Sequence, residues 1–273
     1  MRPNLLLHQL RRKIFVAAFA LIALAFETGL AQKTDFRELF DGSTLDGWKH
    51  KGNWRIEDGT LTRSGKGGGI TYDAMTVPDD FELQFEWKVA NGSNSGVYYR
   101  PGQYEYQILD NDVHRDGKNP RTSAASLYFC MQPSHDATQP IGKWNTARVI
   151  CKGSVVQHWL NGQKVIHFDY EAPEFAFNVE MLKQRGGELA ARGGKLMLQD
   201  HGDPVWYRSI RIREIAENEA IDMSPVTPAQ IDDETLAAEK QKLDGIVARR
   251  KKQQAKKAKA EKEKGVKALE TIN

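Results

Sequence analysis

Cysteine is nearly absent from this 273-residue chain, which holds only Cys130 and Cys151. Two thiols exclude a disulfide-rich scaffold, and no Cys/His spacing of zinc-site type occurs. One bridge or two buried thiols remain, and the thiols are the better reading, because a domain of this size needs no staple. Long apolar runs are also scarce. Residues 14–26 form an uninterrupted run of thirteen, short of the roughly 20 that span a bilayer. Arg11, Arg12 and Lys13 precede it, and Gly29, Leu30 and Ala31 follow. That order predicts a cleaved export signal over 1–31, with an uncleaved anchor as the alternative. No Cys follows the run, which argues against a lipidated start.

An excess of charge of one sign is missing as well. The whole chain is formally +3, and residues 1–31 carry that +3 themselves: Arg2, Arg11, Arg12 and Lys13 against Glu27. The remainder is formally neutral. Within it, residues 249–264 hold nine basic and two acidic side chains. The basic pI therefore comes from the two ends and gives no argument for a nucleic-acid partner.

What the chain does have is β-patterning from Phe36 to about Ile215. In "FELQFEWKV", Phe81, Leu83, Phe85, Trp87 and Val89 alternate with polar residues, as in a strand with one face on a core. Asp58-Gly59 and Asn161-Gly162 stand between short β runs and predict tight hairpins. Many short strands between Gly, Asn and Asp turns predict an all-β sandwich or jelly roll over 32–218. Residues 172–192 break the pattern and read as an inserted loop with one short helix. The composition shifts at about 219. Thr227 as N-cap, Pro228 and Gln230 predict a helix start, and the Ala/Lys/Glu/Gln-rich remainder, 219–273, reads as a solvated, charged, partly helical arm. An electrostatic contact of that arm with an anionic envelope surface is its functional reading.

Strand parity sorts the polar residues. In "NSGVYYR", Tyr98 and Arg100 share a face opposite Val97 and Tyr99. In "YEYQILDN", Glu105 and Gln107 oppose Tyr104, Tyr106 and Ile108. In "KLMLQDHG", Gln199 and His201 oppose Leu196 and Leu198. With the apolar sets turned inward, Tyr98, Arg100, Glu105, Gln107, Gln199 and His201 fall on the outer face of one sheet. Asn94 and Asp110, at the far ends of two of these segments, complete the candidate binding set. Asp200 has core-facing parity and is expected to cap a turn or orient a neighbour. Taken singly, each of these is ordinary surface polarity. Together an Arg, a Glu, a His, amides and an aromatic are the groups a sugar site uses.

"LFDGSTLDGW", "NSGVYYR", "YEYQILDN", "KWNTARVI", "HWLNG" and "LQDHGDPVWYRSIRIREI" together resemble the 3-keto-disaccharide hydrolase-type domain family, over about residues 36–216. The resemblance implies a concanavalin A-like jelly roll, and an exported enzyme that cleaves 3-keto-glycosides by hydrolysis or by elimination and hydration. A ketone at C3 acidifies the C2 proton, so such chemistry needs a base, an oxyanion stabiliser and an acid for the leaving oxygen. His201 suits the base, since histidine titrates near neutral pH. Arg100 suits the enolate oxygen, and Glu105 the acid/base partner. Tyr98, Gln107, Gln199, Asp110 and Asn94 would hold hydroxyls. No cofactor is required, although Glu105, Asp110 or His201 could ligate a divalent metal. A sugar 3-oxidoreductase would act upstream. The alternative is a non-catalytic sugar-binding module of the same fold. An ordinary two-carboxylate glycosidase fits less well, since Glu105 has no second acid two or four residues away.

Overall fold

The structure, a computed structural model, describes residues 35–270, with side chains through 258; the expected signal over 1–31 lies outside the described residues. The strands in chain order are β1 (Arg37–Phe40), β2 (Trp48–Lys49), β3 (Trp54–Glu57), β4 (Thr60–Arg63), β5 (Ile70–Tyr72), β6 (Phe81–Val89), β7 (Asn94–Arg100), β8 (Tyr104–Leu109), β9 (Asn145–Lys152), β10 (Val155–Leu160), β11 (Gln163–Asp169), β12 (Leu196–Leu198) and β13 (Val205–Glu214). Among the described residues they form two antiparallel sheets. The larger runs β11-β10-β9-β6-β13-β4-β3, with β1 also on β13; the smaller runs β2-β5-β12-β7-β8. The fold is an all-β concanavalin A-like sandwich carrying a C-terminal helix.

The alternation in β6 does what its spacing predicts. Phe81, Leu83, Phe85, Trp87 and Val89 are all buried between the sheets. Phe85 meets the Tyr106 ring edge-on at 5.3 Å, and Phe81 meets Tyr99 at 6.0 Å. Each such side chain contributes roughly 1.5–3 kcal/mol of burial. Asn161 and Gly162 both have positive φ, 50° and 80°, and turn β10 into β11 as a two-residue hairpin. Cys130 and Cys151 are free and buried; burial pushes their thiols up to about 12 and about 11. They are packing residues, as the buried-thiol reading expects.

Residues 111–131 cover the outer edge of the smaller sheet. They make two 3₁₀ turns, Arg115–Lys118 and Pro120–Thr122, and then run beside β8. Ala125 N–H donates to Gln107 O, Gln107 N–H to Ser126 O, and Tyr128 N–H to Glu105 O, all within 2.9–3.1 Å. This closes a strand edge that would otherwise be free to pair with another chain. A buried polar relay pins the cover: His158 Nδ1 lies 2.8 Å from Ala125 O and its Nε2 2.8 Å from the Tyr99 hydroxyl. Burial pushes the imidazole down to about 4. It is therefore neutral, donating to the carbonyl and accepting from the tyrosine.

The expected insertion holds a short 3₁₀ turn and helix α1 (Ala176–Arg185), ended by Gly186 at φ 95°. The expected solvated arm is only half correct. Helix α2 (Asp233–Glu270) starts five residues after the expected Pro228, with Asp232 as the cap: its carboxylate accepts from Thr235 N–H at 2.7 Å. Pro228 cannot start the helix because Ala229 N–H is held by Pro133 O and Ala229 O by the Gln132 amide. The first turns of α2 then dock on the sandwich. Glu239 is buried and accepts from Arg121 Nε at 3.0 Å and from Asn119 Nδ2 at 2.8 Å. Leu243 joins Phe129 and Met181 in a small apolar cluster. Residues 251–258 are all exposed, as an arm should be. The boundary at 219 thus divides composition but does not separate α2 from the sandwich. Among the described residues, 35–215 and 222–270 belong to one compact unit.

Candidate active site

Register decides which predicted residues share a face. Tyr98 pairs with Glu105, Gly96 with Gln107 and Asn94 with Leu109. On the other side of β7, Met197 pairs with Tyr98, and Gln199 N–H donates to Gly96 O at 2.8 Å. Tyr98, Glu105, Gln107, Gln199 and Asn94 therefore surround Gly96 on one face of the smaller sheet. Glu105 and Gln107 are not open to solvent as their parity suggested, because residues 111–131 cover them.

Glu105 is the centre of this face. It is 3 % exposed, and its carboxylate leans over Gly96, where any Cβ would collide with it. The Tyr98 hydroxyl donates to Glu105 Oε2 at 2.7 Å and in turn accepts from Gln199 Nε2 at 3.4 Å. Burial pushes the Glu105 carboxyl up to about 7; the Tyr98 bond and the Arg185 guanidinium pull it down, and Asp116 adds to the rise. A carboxylic acid in that range can both give and take a proton at neutral pH. Around it lie three buried amide oxygens without a hydrogen-bond partner among the described residues: Asn94 Oδ1, Gln107 Oε1 and Gln199 Oε1. Gln107 Nε2 is committed to Thr122 O at 3.3 Å. Leaving a buried acceptor unmade costs about 1–3 kcal/mol. A ligand bearing several hydroxyl donors would satisfy all three, once admitted to oxygens that are closed to solvent in this structure.

His201 sits past the end of β12, at the Asn94 end of the face. It is exposed, its Nδ1 stands 3.9 Å from Asp203 Oδ2, and its ring meets His114 edge-on at 6.3 Å. Asp203 also accepts from Asn94 N–H at 3.1 Å, which ties this rim to β7.

Two expected members lie elsewhere. Arg100 does not share the face of Glu105. The register shifts between Tyr98 and Arg100, so Arg100 pairs with Tyr104 and takes core-facing parity. Its guanidinium lies 5.6 and 5.4 Å from the Phe81 and Tyr104 rings and donates to Asp79 O. A bulge adds one residue and inverts the alternation beyond it. Asp110 is spent on backbone: its oxygens accept from Gly92 N–H at 2.6 Å and Asp112 N–H at 3.1 Å. Glu105, Asp110 and His201 thus do not assemble as metal ligands. Among the described residues no group of three or more His, Cys, Asp or Glu converges on a metal position.

Asp200 explains why a β segment ends in Gln-Asp-His-Gly. Its carboxylate pairs with Arg63 and accepts from Asn53 Nδ2, Gly68 N–H and Gly202 N–H, each of these three at 3.0 Å. It ties the β12 end to the β3–β4 hairpin and the turn after it, while Gln199 looks out onto the face.

Sequence reasoning missed a second layer. Tyr128 OH lies 3.4 Å from Asp116 Oδ2, Lys242 Nζ lies 3.4 Å from Tyr128 OH, and the Arg185 guanidinium stands 4.7 Å from the Tyr128 ring centre. These come from irregular backbone and two helices, so strand parity could not find them. Gly96 did carry a signal, since a lone glycine inside a strand marks a close approach.

Fold and face together define a concanavalin A-like sandwich with a buried, near-neutral carboxylic acid amid amide acceptors on its smaller sheet. The chain belongs to the 3-keto-alpha-glucoside-1,2-lyase-like domain family, whose model matches residues 35–213. It is 31% identical over 224 residues to a 3-keto-disaccharide hydrolase of Bacteroides thetaiotaomicron, covering 64% of this chain and 77% of that one. Two crystal structures of candidate glycosyl hydrolases from Parabacteroides distasonis share the fold at 24% identity. One has a TM-score of 0.55 and covers 66% of this chain and 94% of its own; the other has 0.53, 66% and 100%. The family and the Bacteroides relative support a carbohydrate-active function; the two crystal structures support the fold. The family match ends before α2.

Proposed function

We propose that this protein cleaves 3-keto-glycosides, and that Glu105 is its proton-transferring residue. The observation that carries the reading is a buried carboxyl with near-neutral acidity, held by Tyr98 on a face whose three amide oxygens lack partners. A base removes the proton from C2, which the C3 ketone acidifies. The electron pair passes through the enolate to form the C1–C2 double bond as the C1–oxygen bond breaks. The leaving oxygen takes a proton, and water then adds to C1 to complete net hydrolysis. Glu105 and His201 are the two groups on this face and its rim suited to the proton transfers. Arg100, turned to the core, has no part in them. Asn94, Gln107 and Gln199 accept hydroxyl protons and fix the ring.

The same three acceptors also suit a binding module without catalysis, and turnover separates the two readings. Purified protein is incubated with a glycoside and its 3-keto derivative, and release of the C1 substituent is followed. Release from the 3-keto compound alone supports the enzyme. Binding of both without release favours the module. On the enzyme reading, a sugar 3-oxidoreductase supplies the ketone. The apolar run at 14–26, behind three basic residues, supports export to the periplasm or beyond. The exposed basic stretch at 251–258 supports an electrostatic contact with anionic envelope material, one that weakens as salt rises.

A further inference from the structure

A cleft of about 250 Å³ lies between the two 3₁₀ turns of residues 115–122 and the first turns of α2. Its lining includes Asp116, Asn119 and Thr122 on one wall, Thr235, Ala238 and Lys242 on the other. Phe129 adds an aromatic surface. The Asn119 amide and the Thr122 hydroxyl proton are bonded within the protein, which leaves the Asp116 carboxylate, the Lys242 ammonium, the Thr235 hydroxyl and the Phe129 ring as contacts a hydroxylated ring uses; the volume approaches the ~300 Å³ at which small-molecule sites begin.

Hydrogen bonds link the walls of the cleft to the Glu105 face. Asp116 and Lys242 both reach the Tyr128 hydroxyl, at 3.4 Å each. Tyr128 N–H is bonded to Glu105 O at 3.0 Å. The Thr122 carbonyl holds the Gln107 amide, two residues along β8 from Glu105. Asp116 also acts on the Glu105 carboxyl directly. One wall is thus the cover of the site. The other is a helix that lies outside the residues matched by the family model.

We propose that this cleft is the subsite for the leaving-group sugar, and that α2 is the element that makes the protein prefer a disaccharide over a glycoside with a small C1 substituent. The proposal rests on the function proposed above. It assigns the C-terminal helix a part in substrate selection, in addition to any contact its exposed end makes.

The test fills the cleft from the helix side. Ala238 is exposed and lines it; Gln241 is exposed on the same helix and does not. Both variants put the same aromatic on the helix, Ala238→Trp at a slightly greater cost in helix propensity than Gln241→Trp. KM and kcat are measured for 3-keto-sucrose and for methyl 3-keto-α-glucopyranoside. Ala238→Trp is expected to raise the KM ratio of the disaccharide to the methyl glycoside by about tenfold or more, and Gln241→Trp to leave it within about twofold. An unchanged ratio in Ala238→Trp, or the same change in both variants, overturns the subsite. If the wild-type protein turns over neither compound, the proposed function fails instead. The cleft is then judged by calorimetric binding of sucrose: weaker in Ala238→Trp alone supports it, and equal in all three proteins overturns it.

Discussion

Glu105 should make the protein less stable as the pH rises, and Glu105→Gln should remove that penalty. The side chain is 3 % exposed, and burial holds its carboxyl at about 7 against an ordinary value of 4.5. Between those values the folded protein keeps a proton that the unfolded chain has lost. Stability therefore falls as pH rises through this window and levels off above the folded value. At about 1.36 kcal/mol per pH unit, the full effect is about 3 kcal/mol. Glutamine has nearly the same shape, keeps an acceptor for the Tyr98 hydroxyl and does not titrate. The wild-type protein and Glu105→Gln should differ by about 3 kcal/mol more near pH 8 than near pH 4.5, with the variant the more stable at the higher pH. In a chain of this size that is roughly 6–12 °C in Tm. Urea melts at the two pH values read it directly. An equal difference at both would mean that Glu105 is not held neutral by burial, and the argument for its proton-transfer role would lose its base.

Gly96→Ala places a Cβ against the Glu105 side chain, whose Cδ and Cγ would lie only 3.1 Å away. The carboxylate is the far end of the side chain, held there by the Tyr98 hydroxyl, and should swing aside by about 0.5–1 Å, costing roughly 10²-fold in turnover with a smaller effect on Tm. A large Tm loss instead would show that the sheet yields and not the side chain. Asp200→Asn removes the charge paired with Arg63 and should cost about 1–3 kcal/mol, read as a lower Tm. Burial would raise the Asp200 carboxyl, but Arg63 and two backbone N–H groups hold it below the ordinary 3.8. Its contribution is thus present above that pH and lost as the pH falls below it, so wild type and variant should converge in acid. Glu239→Ala leaves Arg121, 3 % exposed, without its carboxylate and should cost about 3–5 kcal/mol. An unchanged Tm would return α2 to the status of a separable arm.

The β-sandwich was legible because its signals are local. The period-two run from Phe81 to Val89 and the Asn161-Gly162 turn each specify a feature without reference to the rest of the chain. The face around Gly96 was legible for the same reason, since parity within β7, β8 and β12 sorts Tyr98, Glu105, Gln107 and Gln199 together. Parity failed at Arg100 because the register shifts at Tyr99, an ordinary strand residue, while Pro101 and Gly102 signal only the turn that follows. It could not foresee the burial of Glu105, which depends on residues 111–131 returning along β8. The docking of α2 was hidden for a related reason. Glu239 looks like one more charge on a polar helix until Arg121, 118 residues earlier, is brought beside it. The start of α2 was misplaced because tertiary hydrogen bonds to Ala229 outweigh a local capping pattern.

The most direct measurement is release of the C1 substituent from a 3-keto-glycoside by the wild-type protein and by Glu105→Gln, with the parent glycoside as control. The account predicts release from the ketone only, and a loss of about 10²–10⁴-fold in the variant while its fold is kept and its Tm does not fall. Equal release by the variant, or equal cleavage of the parent glycoside, would contradict it.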